Sequence, residues 1–135
     1  MMTTQRTRYG FGKTVKMPYS EAVERTKAAL KEQGFGVLTE ADIQQAMKEK
    51  LGIDFRPYVI LGACNPPLAY QALEAEIDIG LLLPCNVVVY EVEGGSVVEA
   101  LDAEFALGLV GNPALTAVGR EARERLQKAL DSISS

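Results

Sequence analysis

The sequence contains no histidine and no tryptophan, and only two cysteines, among its 135 residues. Histidine is the side chain that titrates near neutral pH without perturbation, the usual base beside a serine or cysteine nucleophile, and the commonest metal ligand. Its absence excludes Ser-His-Asp and Cys-His catalysis within one chain. Carboxylates, thiols, lysine and tyrosine can still be tuned for catalysis. The sequence therefore leaves open whether the protein is an enzyme and weakens the case for a hydrolase.

Long apolar runs are also missing. A membrane-spanning helix needs about 20 apolar residues, whereas the longest run here, around residues 79–84, is interrupted by Gly80. The N-terminal segment carries Arg6 and Arg8, but the apolar core of a secretory signal does not follow them. We therefore expect a cytoplasmic protein with no membrane association.

The charge balance argues against nucleic acid as a partner. Asp and Glu number 18 against 14 Lys and Arg, which gives a formal net charge of −4. A phosphate-binding surface needs a strongly basic face, and the basic residues here are dispersed. Apolar residues make up 47% of the chain, enough to fill a core at this length. We therefore expect a single domain over residues 1–135.

Hydrophobic periodicity predicts alternating strands and helices. Alternating or Val-rich runs predict strands at 9–17, 35–42, 58–63, 85–93 and 96–104, the last two joined by a hairpin turn at Gly94-Gly95. Helical spacing predicts helices at 21–33, 43–51, 66–75 and 115–133. The segment 77–83 is apolar but irregular. The order β-α-β-α-β-α-β-β-α predicts an α+β fold, with one mostly antiparallel or mixed sheet and the long helices packed on one face.

Helix ends carry their own signals. Ser20 and Asp42 stand where N-caps of the first two helices are expected, and Gly34 stands where the first helix should end. Asn65-Pro66 and Asn112-Pro113 each combine a capping side chain with a proline at the first helical position. These signals predict where four helices begin.

Cys64 and Cys85 are the only soft nucleophiles, and each stands beside a proline-marked break. If Asn65 caps a helix, the Cys64 sulfur lies near free N–H groups that can lower the pKa of a thiol. Three interpretations stay open: both are small buried hydrophobic residues, both act together in thiol or metal chemistry, or they form a structural disulfide. A metal site would need carboxylates or a second subunit to complete it.

Glu40 and Asp42 form a carboxylate pair that faces one side of an extended chain. Such pairs can hold a metal or perform acid–base chemistry. At a junction between a strand and a helix, an acid more often caps the helix, and Asp42 has the right position for that role. No GxGxxG, Walker A, nucleophile-elbow or HExxH motif is present, so the cofactor stays unknown.

Three blocks of the sequence together resemble the family called domain of unknown function 302. They are 34–42, 58–66 and 83–85, and they occur in the order typical of that family. The resemblance covers nearly the whole chain and implies a compact α+β domain without an established activity, substrate or cofactor. The positions that match the family's motif are Phe35, Glu40, Asp42, Gly62, Cys64, Asn65, Pro66, Leu83, Pro84 and Cys85.

Two functions from different classes are compatible with these residues. The first is a homodimeric module that binds a small-molecule ligand or a partner in a cleft near Cys64 and Cys85, with Asn65, Glu40 and Asp42 as further candidate contacts. The second is thiol redox chemistry or soft-metal binding at Cys64 and Cys85. The dimer is expected because the Val-rich strands place apolar residues on both faces of the sheet.

Overall fold

The computed structural model describes residues 2–134, which form one antiparallel sheet and a layer of helices. The strands are β1 (Thr4–Gln5), β2 (Gly10–Val15), β3 (Gly36–Asp42), β4 (Tyr58–Cys64), β5 (Cys85–Val92) and β6 (Gly95–Leu101). The helices are α1 (Tyr19–Glu32), α2 (Ile43–Leu51), α3 (Pro66–Ala75), α4 (Ala103–Gly108) and α5 (Thr116–Asp131), with 3-10 turns at Ile77–Leu82 and Pro113–Leu115. No helix in this part of the chain is long and apolar enough to cross a bilayer.

The sheet has the strand order β1-β2-β6-β5-β4-β3, and every neighbouring pair is antiparallel. Strands β3, β4, β5 and β6 are neighbours in the order in which they occur in the chain. Strand β6 then pairs with β2, which joins residues 10–15 to residues 96–101. The predicted α+β class is confirmed, and the sheet is wholly antiparallel.

Side chains alternate between the two faces of the sheet, as strand geometry requires. On one face, Val87 and Val89 of β5 stand opposite Ala100 and Val98 of β6, and all four are buried. Helices α1 and α5 pack over this face. The apolar residues whose helical spacing predicts the last helix form a stripe that is buried throughout: Leu115, Val118, Ala122, Leu126, Ala129 and Ile133. The first and last of them flank α5.

Local signals located most helix ends. Asp42 Oδ1 accepts a hydrogen bond from Gln45 N at 2.9 Å, and Asn65 Oδ1 accepts one from Leu68 N at 3.2 Å, so both predicted caps are confirmed. Gly34 has a φ of 85° just beyond α1, as a helix C-terminus favours. The cap predicted at Ser20 is wrong. Helix α1 begins at Tyr19, two residues before the predicted start and directly after Pro18.

Several boundaries differ from the prediction, three of them as follows. The strand predicted through residue 104 ends at Leu101, because Asp102 Oδ1 accepts a hydrogen bond from Phe105 N at 3.1 Å and starts α4. Asn112 caps the 3-10 turn that precedes α5, and not α5 itself. The hairpin turn is Glu93-Gly94, because Gly95 already belongs to β6 and pairs with Val92 of β5. Strand β1 was not predicted, because two residues carry no periodicity.

Candidate functional site

A cavity of about 230 Å³ lies where β4 and β5 end against the helical layer. Its walls are almost entirely apolar and come from α3, α4, α5 and the segment before β5: Leu68, Ala69, Ala72, Leu73, Leu83, Pro84, Leu107, Val118 and Ala122. Phe35 and Leu38 line it from the β3 side. A wider depression beside α2 is lined mainly by polar and charged side chains such as Gln44, Lys48 and Glu49. The apolar cavity is therefore the better candidate site.

Both cysteines line this cavity. Ala63 of β4 stands directly opposite Cys85 of β5, so Cys64 is one residue out of register with Cys85 on the neighbouring strand. Strand spacings place Cα atoms in that relation about 6 Å apart. Both thiols are free, so the structure contains no disulfide between them. The pairing of β4 with β5 thus brings the two cysteines together although they are far apart in the sequence.

Burial governs the acidity of both thiols. It raises the pKa of Cys64, which is half-buried, above its usual value. It raises the pKa of Cys85 from 9.0 to about 11, with a smaller contribution from the charge of Cys64. The expectation that the N-terminus of α3 lowers the pKa of Cys64 is therefore wrong in direction, because burial disfavours the charged thiolate. Both thiols stay protonated at neutral pH.

Asn65 connects the strand that carries Cys64 to the helix that forms one wall. Its side chain is buried and its Oδ1 caps α3, while its backbone carbonyl accepts a hydrogen bond from Ala69 N at 2.8 Å. Leu68 and Ala69, whose backbone N–H groups donate these two hydrogen bonds, also line the cavity. Asn65 therefore positions the wall, and its Oδ1 is occupied by the cap.

Glu40 and Asp42 lie away from the cavity. In the pairing of β3 with β4, Cys64 stands opposite Gly36, whereas Asp42 stands opposite Val59 at the other end of β3. Glu40 forms an ion pair with Lys27 of α1 at 2.8 Å, and Asp42 is occupied as the cap of α2. The structure thus brings together Cys64, Asn65 and Cys85 but separates Glu40 and Asp42 from them.

The two carboxylates do share a face, as their spacing indicated. They border a shallow surface depression with Tyr19 and Val23 of α1. Burial raises the pKa of the Tyr19 hydroxyl, and the charges of Asp42 and Glu40 raise it further. Within residues 2–134 no group of three or more Cys, Asp or Glu side chains is arranged to hold a metal ion.

The residues that sequence reasoning missed are the apolar walls. Leu73, Leu107 and Val118 belong to three different helices, and no local pattern shows that they meet around one cavity. One signal was available: the run Leu81-Leu82-Leu83 is unusually apolar for a connecting segment. Leu83 of this run lines the cavity, and so does Gly80, which precedes the run.

We expect Asn65→Ala to lower the free energy of unfolding by about 1 kcal/mol, because the N–H of Leu68 loses its capping acceptor. Asn65→Asp should keep the cap and raise the pKa of Cys64 further, since a carboxylate beside the sulfur disfavours the thiolate. Urea denaturation and the rate of Cys64 alkylation against pH measure the two effects. An unchanged midpoint for Asn65→Ala would show that this hydrogen bond does not hold the start of α3.

Comparisons with known proteins agree on one family. The profile of the family described as "Domain of unknown function DUF302" matches residues 11–133. The crystal structure of an uncharacterized conserved protein DUF302 from Bacillus stearothermophilus is similar to this chain, with a TM-score of 0.85 and 32% sequence identity. The match covers 93% of this chain and 98% of that one. Among curated proteins, none matches the chain.

Proposed function

Because the chain belongs to the DUF302 family, whose description assigns no activity, we propose its function from the geometry: a dimeric module that binds a small ligand in the cavity beside Cys64 and Cys85. The observation that carries the proposal is the cavity itself. Ligand sites are typically concave, mostly apolar and built between packed elements. This cavity has all three properties, and it interrupts a core that is otherwise closely packed.

The face of the sheet opposite α1 and α5 supports the dimer. Tyr58 and Tyr90 stack on it with ring centroids 5.2 Å apart and ring planes inclined by 5°. Val88 and the exposed Tyr9 border the same surface, which we call the open face. It also carries Glu99, which stands opposite Val88 and forms an ion pair with Arg6 at 3.7 Å. A copy related by a two-fold axis would therefore meet apolar side chains and charges of both signs.

We expect light scattering at micromolar concentration to give a mass of about twice 14.6 kDa. Val88→Lys should give the monomer mass, because it places a charge in the middle of the open face. Leu109→Lys, at a site 70% exposed just after α4, is the matched control and should leave the dimer mass unchanged. A wild-type mass near 14.6 kDa would overturn the dimer.

A fragment screen followed by protein-detected NMR tests ligand binding. The fragments should include charged, polar and apolar molecules, so that the screen does not presuppose a ligand class. We expect at least one fragment to shift the amide signals of residues that line the cavity. Ala69→Leu, which extends a side chain into the cavity, should weaken that response at least tenfold. Ala28→Leu makes the same change on the exposed side of α1 and should have no effect. If no fragment shifts these amides, the binding function is wrong.

Thiol redox chemistry or soft-metal binding is the alternative function, and the adjacency of Cys64 and Cys85 favours it. The raised pKa of each thiol opposes it, because the thiolate is the nucleophile and the metal ligand. Alkylation of the native protein at pH 7 separates the two functions. Two slowly reacting thiols support the binding module, whereas rapid modification of Cys64 supports the thiol function.

A further inference from the structure

We propose that the cavity takes an uncharged apolar ligand, or the apolar end of a larger one, equivalent in size to about eight to ten carbon atoms. This inference rests on the proposed binding function and names its ligand class. It is carried by the chemistry of the walls, the volume of the cavity and the character of its rim.

The walls offer almost nothing to a charged or strongly polar group. Within residues 2–134, no charged side chain lines the cavity. The amide of Asn65 is the most polar side chain there, and its Oδ1 is already bonded to Leu68 N. A charged group that entered would lose its hydration without gaining a partner, which is strongly unfavourable. Apolar groups enter at no such cost, so the walls select for them.

The volume sets the size of the ligand. An apolar cavity of about 150 Å³ in another protein is filled by one benzene molecule. The cavity here has about 230 Å³ and is open on one side. It therefore has room for a ring with a short substituent, or for a folded or extended chain of roughly eight to ten carbons, before the ligand reaches solvent.

The rim continues the same chemistry outward. Leu38, which lines the cavity, is 67% exposed, and Leu81 and Leu82 beside Gly80 and Leu83 are 90% and 38% exposed. Leu38 is thus both exposed and part of the cavity lining, so it offers an entering alkyl or aryl group an apolar contact before the group is fully buried. Leu38 and the walls favour the same ligand class.

A homologous series of probes tests the class. We would titrate the full-length protein with straight-chain 1-alkanols from butanol to dodecanol, and with the carboxylates of the same chain lengths, and follow the cavity amides by NMR. Affinity for the alkanols should rise about fourfold for each added methylene group, because each is buried, and level off at eight to ten carbons. Each carboxylate should bind at least tenfold more weakly than the alkanol of equal length if its head group reaches the walls.

Two variants change the cavity in opposite directions. Ala69→Leu should shorten the alkanol chain length at which affinity levels off, and Leu73→Ala should lengthen it. Each change should be about three carbon atoms, because a leucine side chain has three more carbon atoms than an alanine side chain. Ala28→Leu, on the exposed side of α1, should leave the series unchanged. Because Ala69 and Leu73 are only half-buried, both proteins should fold, and circular dichroism checks this.

The outcomes separate this inference from the proposed function. Carboxylates short enough to lie wholly within the cavity, or polar fragments, that bind it as well as the alkanols would overturn the ligand class and leave the binding function standing. Alkanol affinities that are unchanged in both variants would overturn the assignment to this cavity. If neither the probes nor any fragment in the screen shifts the cavity amides, both the class and the binding function are wrong.

Discussion

Gly12→Ala is expected to lower the free energy of unfolding by about 3 kcal/mol or more, or to prevent folding. Gly12 lies in β2, where that strand pairs with β6. A Cβ atom at this position would lie 2.1 Å from the carbonyl oxygen of Val98 and 2.7 Å from the Cα of Glu99. Both are backbone atoms of a central strand, so neither can move aside without disturbing the pairing.

Gly36→Ala is the matched control for this substitution. Gly36 is also in a strand, but a Cβ atom there would meet nothing within 4 Å. We expect no loss of stability, and a gain of up to about 1 kcal/mol, because alanine restricts the unfolded chain more than glycine. Urea denaturation of the two variants beside the wild type gives both values. Midpoints that agree for Gly12→Ala and Gly36→Ala would mean that β2 and β6 tolerate a wider separation.

Stability should fall between about pH 9 and pH 11, because Cys85 resists ionisation in the folded protein. Its pKa is raised from 9.0 to about 11 by burial. Below pH 9 the thiol is protonated in both the folded and the unfolded state, and its full contribution to the free energy of unfolding is present. Between the two pKa values the thiol loses its proton in the unfolded chain but not in the folded protein, so unfolding becomes more favourable as the pH rises. The loss amounts to roughly 2 to 3 kcal/mol once the pH has passed the folded pKa.

Cys85→Ala isolates this contribution. The difference in unfolding free energy between wild type and variant should be constant from pH 7 to 8.5 and should shrink or reverse towards pH 11. Urea denaturation with a reductant at each pH measures it. Cys64→Ala is the control, because Cys64 is only half-buried and its raised pKa should give a smaller change in the same direction. A difference for Cys85→Ala that does not vary with pH would contradict the expected burial of this thiol.

Features that depend on a few neighbouring residues could be predicted from the sequence. Asp42 and Asn65 were identified as caps because a capping side chain acts on the amide three residues later. The stripe from Leu115 to Ile133 was identified because one helix repeats its own spacing.

Features that depend on distant partners could not be predicted. Asp102 looked like part of a strand, yet it caps α4 and pairs with Arg123 of α5 at 3.2 Å. Glu40 looked like half of a catalytic pair, yet Lys27 on α1 neutralises it. The cavity belongs to the same class of feature, because its walls come from several helices that only the tertiary fold brings together.

The pairing of β2 with β6 fixes the order in which the protein can assemble during synthesis. Strands β3 to β6 can pair in sequence as each leaves the ribosome, since each lies beside the one made before it. Strand β2 must wait until residues 95–101 have been made, and α1 must wait longer for α5. Until then the edge of β2 that pairs with β6 has no partner. Loop closure over this distance slows folding, and the waiting segment is where a nascent chain would most need protection from aggregation.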